Sequence, residues 1–496
     1  MPPIRMRYAG LLGFIVRIVS IFTGFLFIII VTRRLPEADF GTWVWITRLI
    51  GYAVFPTAAI SFWATRFVAR DFKAAKTSIL MALLVSAGAT LIYLAISPFA
   101  ANAANAPLIF FLLAAIQIPF AYIVENLNAI ANGSRPEIVS YGTLAYEGVK
   151  VALAFLFMAI LGRTLTSAII AVAASQFISI LVLLWFLKGH LSGSFDKQLA
   201  WRWLKVAWIP LYNGFSSVFI PTFDASIIIG LTGSSLILAN YGAAYVMFSI
   251  VASSAALASA LYPRLLQGGD HKDVTSVINL TTLFAIPVAA GMFIIARPAL
   301  YLLNPVYADA VSVARIIILY TFIAVINTIF DFCILGTEKV ELNVNSNLKD
   351  FVKSKLFMLP TINLICGVTY ITSLAIVMRV TTSMNLSPVD NAYYWALTQL
   401  ITILPLFTLK AILAKKAVNF KVPWRPIALY LAASAVMVVT LQLIKFDIPY
   451  TPNIYIFVYQ AAKLAAAGII IYFTILYTFD HYFRNLVKTI WSNFRP

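Results

Sequence analysis

The sequence predicts an all-α membrane protein of fourteen transmembrane helices. Hydrophobic residues make up 62% of the chain and charged residues only 11%, against roughly 25% charged in soluble domains. The apolar residues also gather into fourteen runs: 8–32, 42–65, 77–98, 107–131, 138–162, 165–187, 204–232, 236–261, 275–303, 309–335, 355–378, 391–413, 426–444 and 454–478. Each is close to or above the ~20 residues that cross a hydrocarbon core. Helix is required, because a segment in lipid must satisfy its own backbone polar groups.

The cations test that count. With the amino terminus in the cytoplasm, twenty-five of the 36 lysines and arginines fall in cytoplasmic connections and six on the outer side. The remaining five, Arg17, Arg48, Lys150, Arg315 and Lys463, lie within helices. This is a positive-inside pattern, and it places both termini of a multi-pass cell-membrane protein in the cytoplasm. The net charge of +18 is then a topology signal and implies no nucleic-acid partner. Cys333 and Cys366 sit in apolar runs without metal-ligand spacing and read as packing residues. The first run is too long for the apolar region of a cleaved leader, and no loop is large enough for a separate soluble domain.

The chain opens on a 25-residue apolar run, Tyr8–Thr32, interrupted by Arg17. Arg17 lies about nine residues, or ~14 Å, from the helix start, too deep to reach the headgroups easily. An arginine near the middle of such a helix costs roughly 2.5–3.5 kcal/mol on insertion scales, so it calls for a wet cavity, a partner or a ligand. A repeat follows at a nearly constant offset of 198–203 residues. Phe40-Gly41 matches Tyr241-Gly242, Arg66–Asp71 matches Arg264–Asp270, and Gly133 matches Gly336. Two six-helix lobes, 1–203 and 204–425, plus an added hairpin and cytoplasmic tail, 426–496, are expected. Repeats of even helix number are related by an axis along the membrane normal, with substrate bound between them.

The loop Arg33-Arg34-Leu35-Pro36-Glu37-Ala38-Asp39-Phe40-Gly41-Thr42-Trp43, after a helix with a buried arginine, resembles the opening of the O-antigen-type (Wzx) polysaccharide-biosynthesis flippases. These belong to the multidrug/oligosaccharidyl-lipid/polysaccharide exporter superfamily. The sharp motif is confined to this first hairpin, while helix count and repeat extend the likeness over the chain. The resemblance implies a V-shaped two-lobed bundle. It would move polyprenyl-(pyro)phosphate-linked oligosaccharides from the cytoplasmic to the outer leaflet by alternating access.

Such a substrate calls for cations in a hydrated cavity. The substrate-binding candidates are Arg17, Arg48, Lys150, Arg315, Glu147 and Asn213. Arginine suits a diphosphate because its planar guanidinium donates bidentately. Glu147 and Lys150 share a helix face and either neutralise each other or act on substrate. Asp224, isolated in its helix and just after Pro221, is a candidate coupling site for Na⁺ or H⁺ or a partner for a cavity arginine. Gln176, Asn327 and Gln399 are secondary polar candidates, and Asp331 and Glu125 read as solvated or interfacial near cytoplasmic helix ends. Lys410 reads as part of a cytoplasmic topology cluster with Lys415, Lys416, Lys421 and Arg425.

A cofactor-free monomer with lipid-linked oligosaccharide and membrane lipids as partners is the leading reading. An ion-coupled drug or organic-cation exporter of the same superfamily is the first alternative. It fits less well, because the five buried bases outnumber the two deep acids, Glu147 and Asp224. A polytopic glycosyltransferase or polymerase is the second, opposed by the lack of a large acidic outer loop. No Gly-x-x-x-x-Gly-Lys motif is present, so direct use of ATP is not expected.

Overall fold

A computed structural model describes residues 6–494 apart from 70–72, 161–164, 192–193, 206, 259–260, 267–268, 339–351 and 445–452. The described residues form helices, with no strand among them, and eleven are long and apolar enough to span a membrane. In chain order these eleven are α2 (Glu37–Ala69), α3 (Ala75–Ala103), α4 (Leu108–Ser134), α6 (Leu165–Leu187), α9 (Ser235–Ala258), α11 (His271–Leu303), α12 (Pro305–Gly336), α13 (Lys355–Ser383), α14 (Pro388–Val418), α15 (Trp424–Leu443) and α16 (Ile454–Phe479). Three further apolar segments are helical but fall outside the eleven. They are α1 (Met6–Arg34), α5 (Glu137–Ala154, running on as a π-turn at Phe155–Ile160) and α8 (208–232, in pieces). Short helices α7 (Lys197–Lys205) and α10 (Leu261–Leu266) lie at connections, and α17 (His481–Phe494) ends the chain.

The segment expected as a plain tail is thus helical over His481–Phe494. Asp480 starts it: its Oδ1 accepts from Tyr482 N at 2.9 Å, and its Oδ2 accepts the Tyr430 hydroxyl of α15 at 3.0 Å.

The chain divides into two compact units. Unit 1 contains Met1–Gly242 and Ile371–Pro388, and unit 2 contains Ala243–Tyr370 and Val389–Pro496. Within unit 1, α1 packs along α5, and α4 lies against α2, α3 and α6. Its core gathers Ile60, Ile118, Tyr122, Ile130, Ile138 and Leu183. Within unit 2, α11 packs on α12 and α15, around Leu261, Ile278, Ile329 and Cys333.

The offset seen in the sequence reappears as geometry. Gly133 of α4 lies so close to α2 that a Cβ would stand 2.7 Å from the Thr65 carbonyl oxygen. Gly336 of α12 makes the matching approach to α10, where a Cβ would stand 2.8 Å from Leu265 Cβ. The second helix of each stretch also loosens into a 3₁₀ turn at the same place, Phe55–Thr57 in α2 and Ser253–Ala258 in α9.

The motif that carries the family resemblance is a packing element here. Leu35, Phe40, Trp43 and Trp45 are buried, and a Cβ on Gly41 would meet the Ser235 carbonyl oxygen at 1.9 Å. Only a residue without a side chain allows α2 this approach to the start of α9.

Candidate functional site

Two polar clusters lie inside unit 1. The first joins α1 to α5. Glu147 and Lys150 are three residues apart, one helical turn, so both fall on one face. Lys150 Nζ stands 2.8 Å from Glu147 Oε2, and Thr23 Oγ1 of α1 donates to the same oxygen at 2.7 Å. The ammonium also lies over the rings of Phe27, at 5.3 Å, and Tyr146, at 4.7 Å. Glu147 is 9% exposed and Lys150 8%. Attraction between charges strengthens as water is excluded, so an anion reaching Lys150 would meet a cation with little hydration left to lose.

The second cluster joins α2 to the broken α8. The sequence Phe215–Phe219 winds as a π-turn, Pro221 follows, and a regular helix resumes at Asp224–Thr232. Proline lacks the N–H that would continue the ladder, so carbonyls near it need other partners. The Tyr52 hydroxyl of α2 donates to the Thr222 carbonyl, and Ser226 Oγ lies 3.4 Å from the same hydroxyl. Phe219 and Phe223 flank the Tyr52 ring at 5.1 and 5.9 Å.

Arg48, one turn before Tyr52, and Asp224 are both close enough for their charges to act on that hydroxyl. Asp224 is 2% exposed and accepts the Ala225 N–H at 2.7 Å. It opens a helix, where negative charge complements the dipole. Each cluster therefore contributes one base and one acid, and Thr23 precedes Asp224 by the repeat offset of 201 residues.

The other residues singled out in the sequence are dispersed. Arg17 is in α1 by its backbone, and its side chain lies outside the described residues. Arg315 belongs to unit 2, is exposed on α12, and holds its guanidinium 4.9 Å from the Phe293 ring centre. Asn213 is exposed on the first piece of α8. Gln176 Oε1 and Asn327 Oδ1 are buried without a partner among the described residues. Lys463 is exposed on α16, over the Tyr459 ring at 4.0 Å.

Two expectations require correction. Lys410 is no loop cation: it is 4% exposed within α14, its Nζ 2.8 Å from Asp331 Oδ1 of α12. Asp331 is accordingly not a solvated helix-end acid, whereas Glu125 is exposed. Sequence reasoning also missed Thr23, Tyr52 and Ser226. The spacing of Tyr52 one turn after Arg48 offered a signal, and nothing local marked Thr23. Among the described residues, no group of three or more His, Cys, Asp or Glu side chains is placed to hold a metal.

No family model matches the chain, and no curated protein matches it in sequence. Its fold, however, is shared with solved membrane proteins. A lipid II flippase, MurJ, in an inward closed conformation superposes with a TM-score of 0.69 over 97% of this chain and 99% of that one, at 12% identity. An inward-facing multidrug resistance transporter of the MATE family and MOP superfamily superposes with a TM-score of 0.57 over 81% of this chain and 98% of that one, at 14% identity. An outward-facing MATE-family transporter gives 0.53, over 83% and 94%, at 13% identity. With helices and no strand among its described residues, the chain is a multi-pass membrane protein with the fold of MurJ and the MATE transporters.

Proposed function

We propose that the chain is a flippase. It carries a polyprenyl-(pyro)phosphate-linked oligosaccharide from the cytoplasmic to the outer leaflet by alternating access, for assembly of a surface polysaccharide or glycoprotein. The observation that carries this reading is the buried Lys150–Glu147–Thr23 cluster in a fold that spans 97% of this chain and 99% of a lipid II flippase. A phosphate competes with Glu147 for the ammonium, and Phe27 and Tyr146 shield the exchange from water. Arg48, and Arg17 of the opening helix, add guanidinium donors for a second phosphate, with Asn213 as a polar support. Arg315, in unit 2, stays a separate candidate for phosphate. The proposed topology has fourteen spans, both termini in the cytoplasm, and lobes at 1–203 and 204–425 with an added hairpin at 426–496. The chain acts as a monomer and performs no covalent chemistry.

The experiment is deletion followed by leaflet assignment of the lipid-linked oligosaccharide. Accumulation of complete intermediate in the cytoplasmic leaflet is the expected result. A sugar missing from the lipid would assign an enzyme and overturn flipping. A second reading, a drug or organic-cation exporter coupled to Na⁺ or H⁺, draws on Asp224, 2% exposed where α8 is broken. In that case cells lacking the protein become drug-sensitive while the lipid intermediate is distributed normally.

A further inference from the structure

Unit 2 carries a cleft of about 580 Å³ that neither cluster uses, lined by His271, Lys272, Thr275, Ser276, Asn279, Asn419, Lys421 and Tyr482. Three chain regions meet there: the first turns of α11, the link between α14 and α15, and the start of α17. Thr275 Oγ1 donates to the Lys421 carbonyl at 3.1 Å, and the hydroxyls of Ser276 and Tyr482 lie 3.4 Å apart. The cleft thus sits at the ends of membrane-length helices, α11 and α15 among them.

Its lysines form no ion pair among the described residues. The nearby acids are engaged: Asp270 caps α11 through Lys272 N and Asp273 N, and Asp273 Oδ2 accepts Asp270 N and lies 3.2 Å from Arg264 Nε. Asp480 is held by Tyr430 and Tyr482. Among the described residues, neither Lys272 nor Lys421 has a carboxylate within ion-pair distance.

A second observation comes from the floor. Asn279 is 7% exposed, and its Oδ1 has no hydrogen-bond partner among the described residues. At the matching positions 201 residues earlier, Ser78 Oγ donates to Asn126 Oδ1 at 2.8 Å and Asn126 Nδ2 donates to Thr57 Oγ1 at 2.9 Å. The counterparts in unit 2 are Asn279, Asn327 and Ala258, so one hydroxyl has become an amide and the other a methyl. A buried acceptor without a donor is costly, and Asn279 Oδ1 calls for an incoming O–H or N–H.

We propose that this cleft binds the headgroup of an anionic phospholipid bearing free hydroxyls. The phosphate sits between Lys272 and Lys421, with the hydroxyls of Thr275, Ser276 and Tyr482 around it, and a headgroup hydroxyl donates to Asn279. Anionic lipid at this place ties α17 to α11 and α15. The proposal stands apart from the identity of the transported substrate.

The test is lipid binding to the purified full-length chain by native mass spectrometry. The probes are phosphatidylglycerol, phosphatidylmethanol (same charge, no hydroxyl) and phosphatidylcholine, with glycerol phosphate as the soluble control. The expected order is phosphatidylglycerol over phosphatidylmethanol over phosphatidylcholine. Lys272→Gln with Lys421→Gln, both exposed positions, lowers phosphatidylglycerol affinity about 30-fold, at about 1 kcal/mol per surface cation. Asn279→Leu abolishes the preference for phosphatidylglycerol over phosphatidylmethanol. Unchanged phosphatidylglycerol binding in the double lysine variant overturns the site. Equal affinity for phosphatidylglycerol and phosphatidylmethanol in the natural chain overturns the role of Asn279. Glycerol phosphate binding as tightly as the lipid assigns the cleft to a soluble phosphate instead.

Discussion

Lys150 Nζ and Glu147 Oε2 are 2.8 Å apart on one face of α5, in a setting where each is at least nine-tenths buried. Removing one member of such a pair leaves an uncompensated buried charge, which costs about 3–5 kcal/mol, while replacing both by apolar groups is close to neutral. Glu147→Gln is therefore expected to lower thermal stability in detergent far more than Glu147→Gln combined with Lys150→Met. Transport should separate from stability: the double variant folds and does not complement a deletion. Complementation by that variant would remove Lys150 from the substrate path.

The Asp331–Lys410 pair tests the opposite role. It lies in unit 2 and bridges α12 and α14. Lys410→Met should destabilise the protein, and exchanging the two charges, Asp331→Lys with Lys410→Asp, should restore most of the loss and leave transport intact. Thermal unfolding and a transport assay on the same preparations decide between a strut and a working group.

Glycine substitutions should divide by what the new methyl meets. Gly41→Ala places a carbon against the Ser235 backbone, and Gly133→Ala against the Thr65 carbonyl, whereas at Gly336 the nearest atoms are in the Leu265 side chain. Backbone cannot move aside as a side chain can, so the expected order of damage is Gly41, Gly133, Gly336, at about 1–3 kcal/mol for overpacking. Gly24→Ala, with nothing within 4 Å of the added carbon, should be neutral or stabilising by up to ~1 kcal/mol.

Arg48 and Asp224 are expected to fail differently. Arg48→Ala should abolish transport of a diphosphate-bearing lipid, while Asp224→Asn, nearly isosteric, should leave binding intact and remove any dependence of transport on a Na⁺ or H⁺ gradient. Proteoliposomes with and without an imposed gradient provide the measurement. An unchanged gradient response in Asp224→Asn discards Asp224 as a coupling group.

The cap of α11 gives a pH dependence. The backbone N–H groups of Lys272 and Asp273 hold the Asp270 carboxyl below the usual carboxylate range. A carboxyl lowered in the folded state stabilises above its unfolded value, about 3.9, and that contribution fades as pH falls below it. Amide exchange in the first turn of α11 should accelerate below about pH 4, and Asp270→Asn should flatten that response.

What was legible in the sequence follows from what is local. Helical stretches announce themselves by hydropathy, and the Glu147–Lys150 pair by its spacing of three. The break in α8 is marked by Pro221, whereas the 3₁₀ turn at Ser253–Ala258 has no proline and is foreshadowed only by its repeat partner. Lys410 falls inside the apolar run 391–413, yet its nearness to Lys415 and Lys416 groups it with the loop cations, and only the packing of α14 on α12 shows it as a buried strut. Thr23 lies 124 residues from the carboxylate it serves, and Asn279 gains its meaning only when α17 returns to the same end of unit 2. The tail helix escaped notice because its mean hydropathy is low, although Phe483, Val487 and Trp491 recur at helical spacing.

The bond from Tyr430 to Asp480 has a practical corollary for watching this molecule work. A spin label or fluorophore on Lys488 would ride on a helix bolted to α15 at its first residue, so its signal would trace the displacement of unit 2 itself. The same label in a chain carrying Tyr430→Phe would move more freely, and the broadening of its distance distribution would measure what that phenol adds to the contacts of Phe483 with Phe473 and of Tyr482 with Ser276.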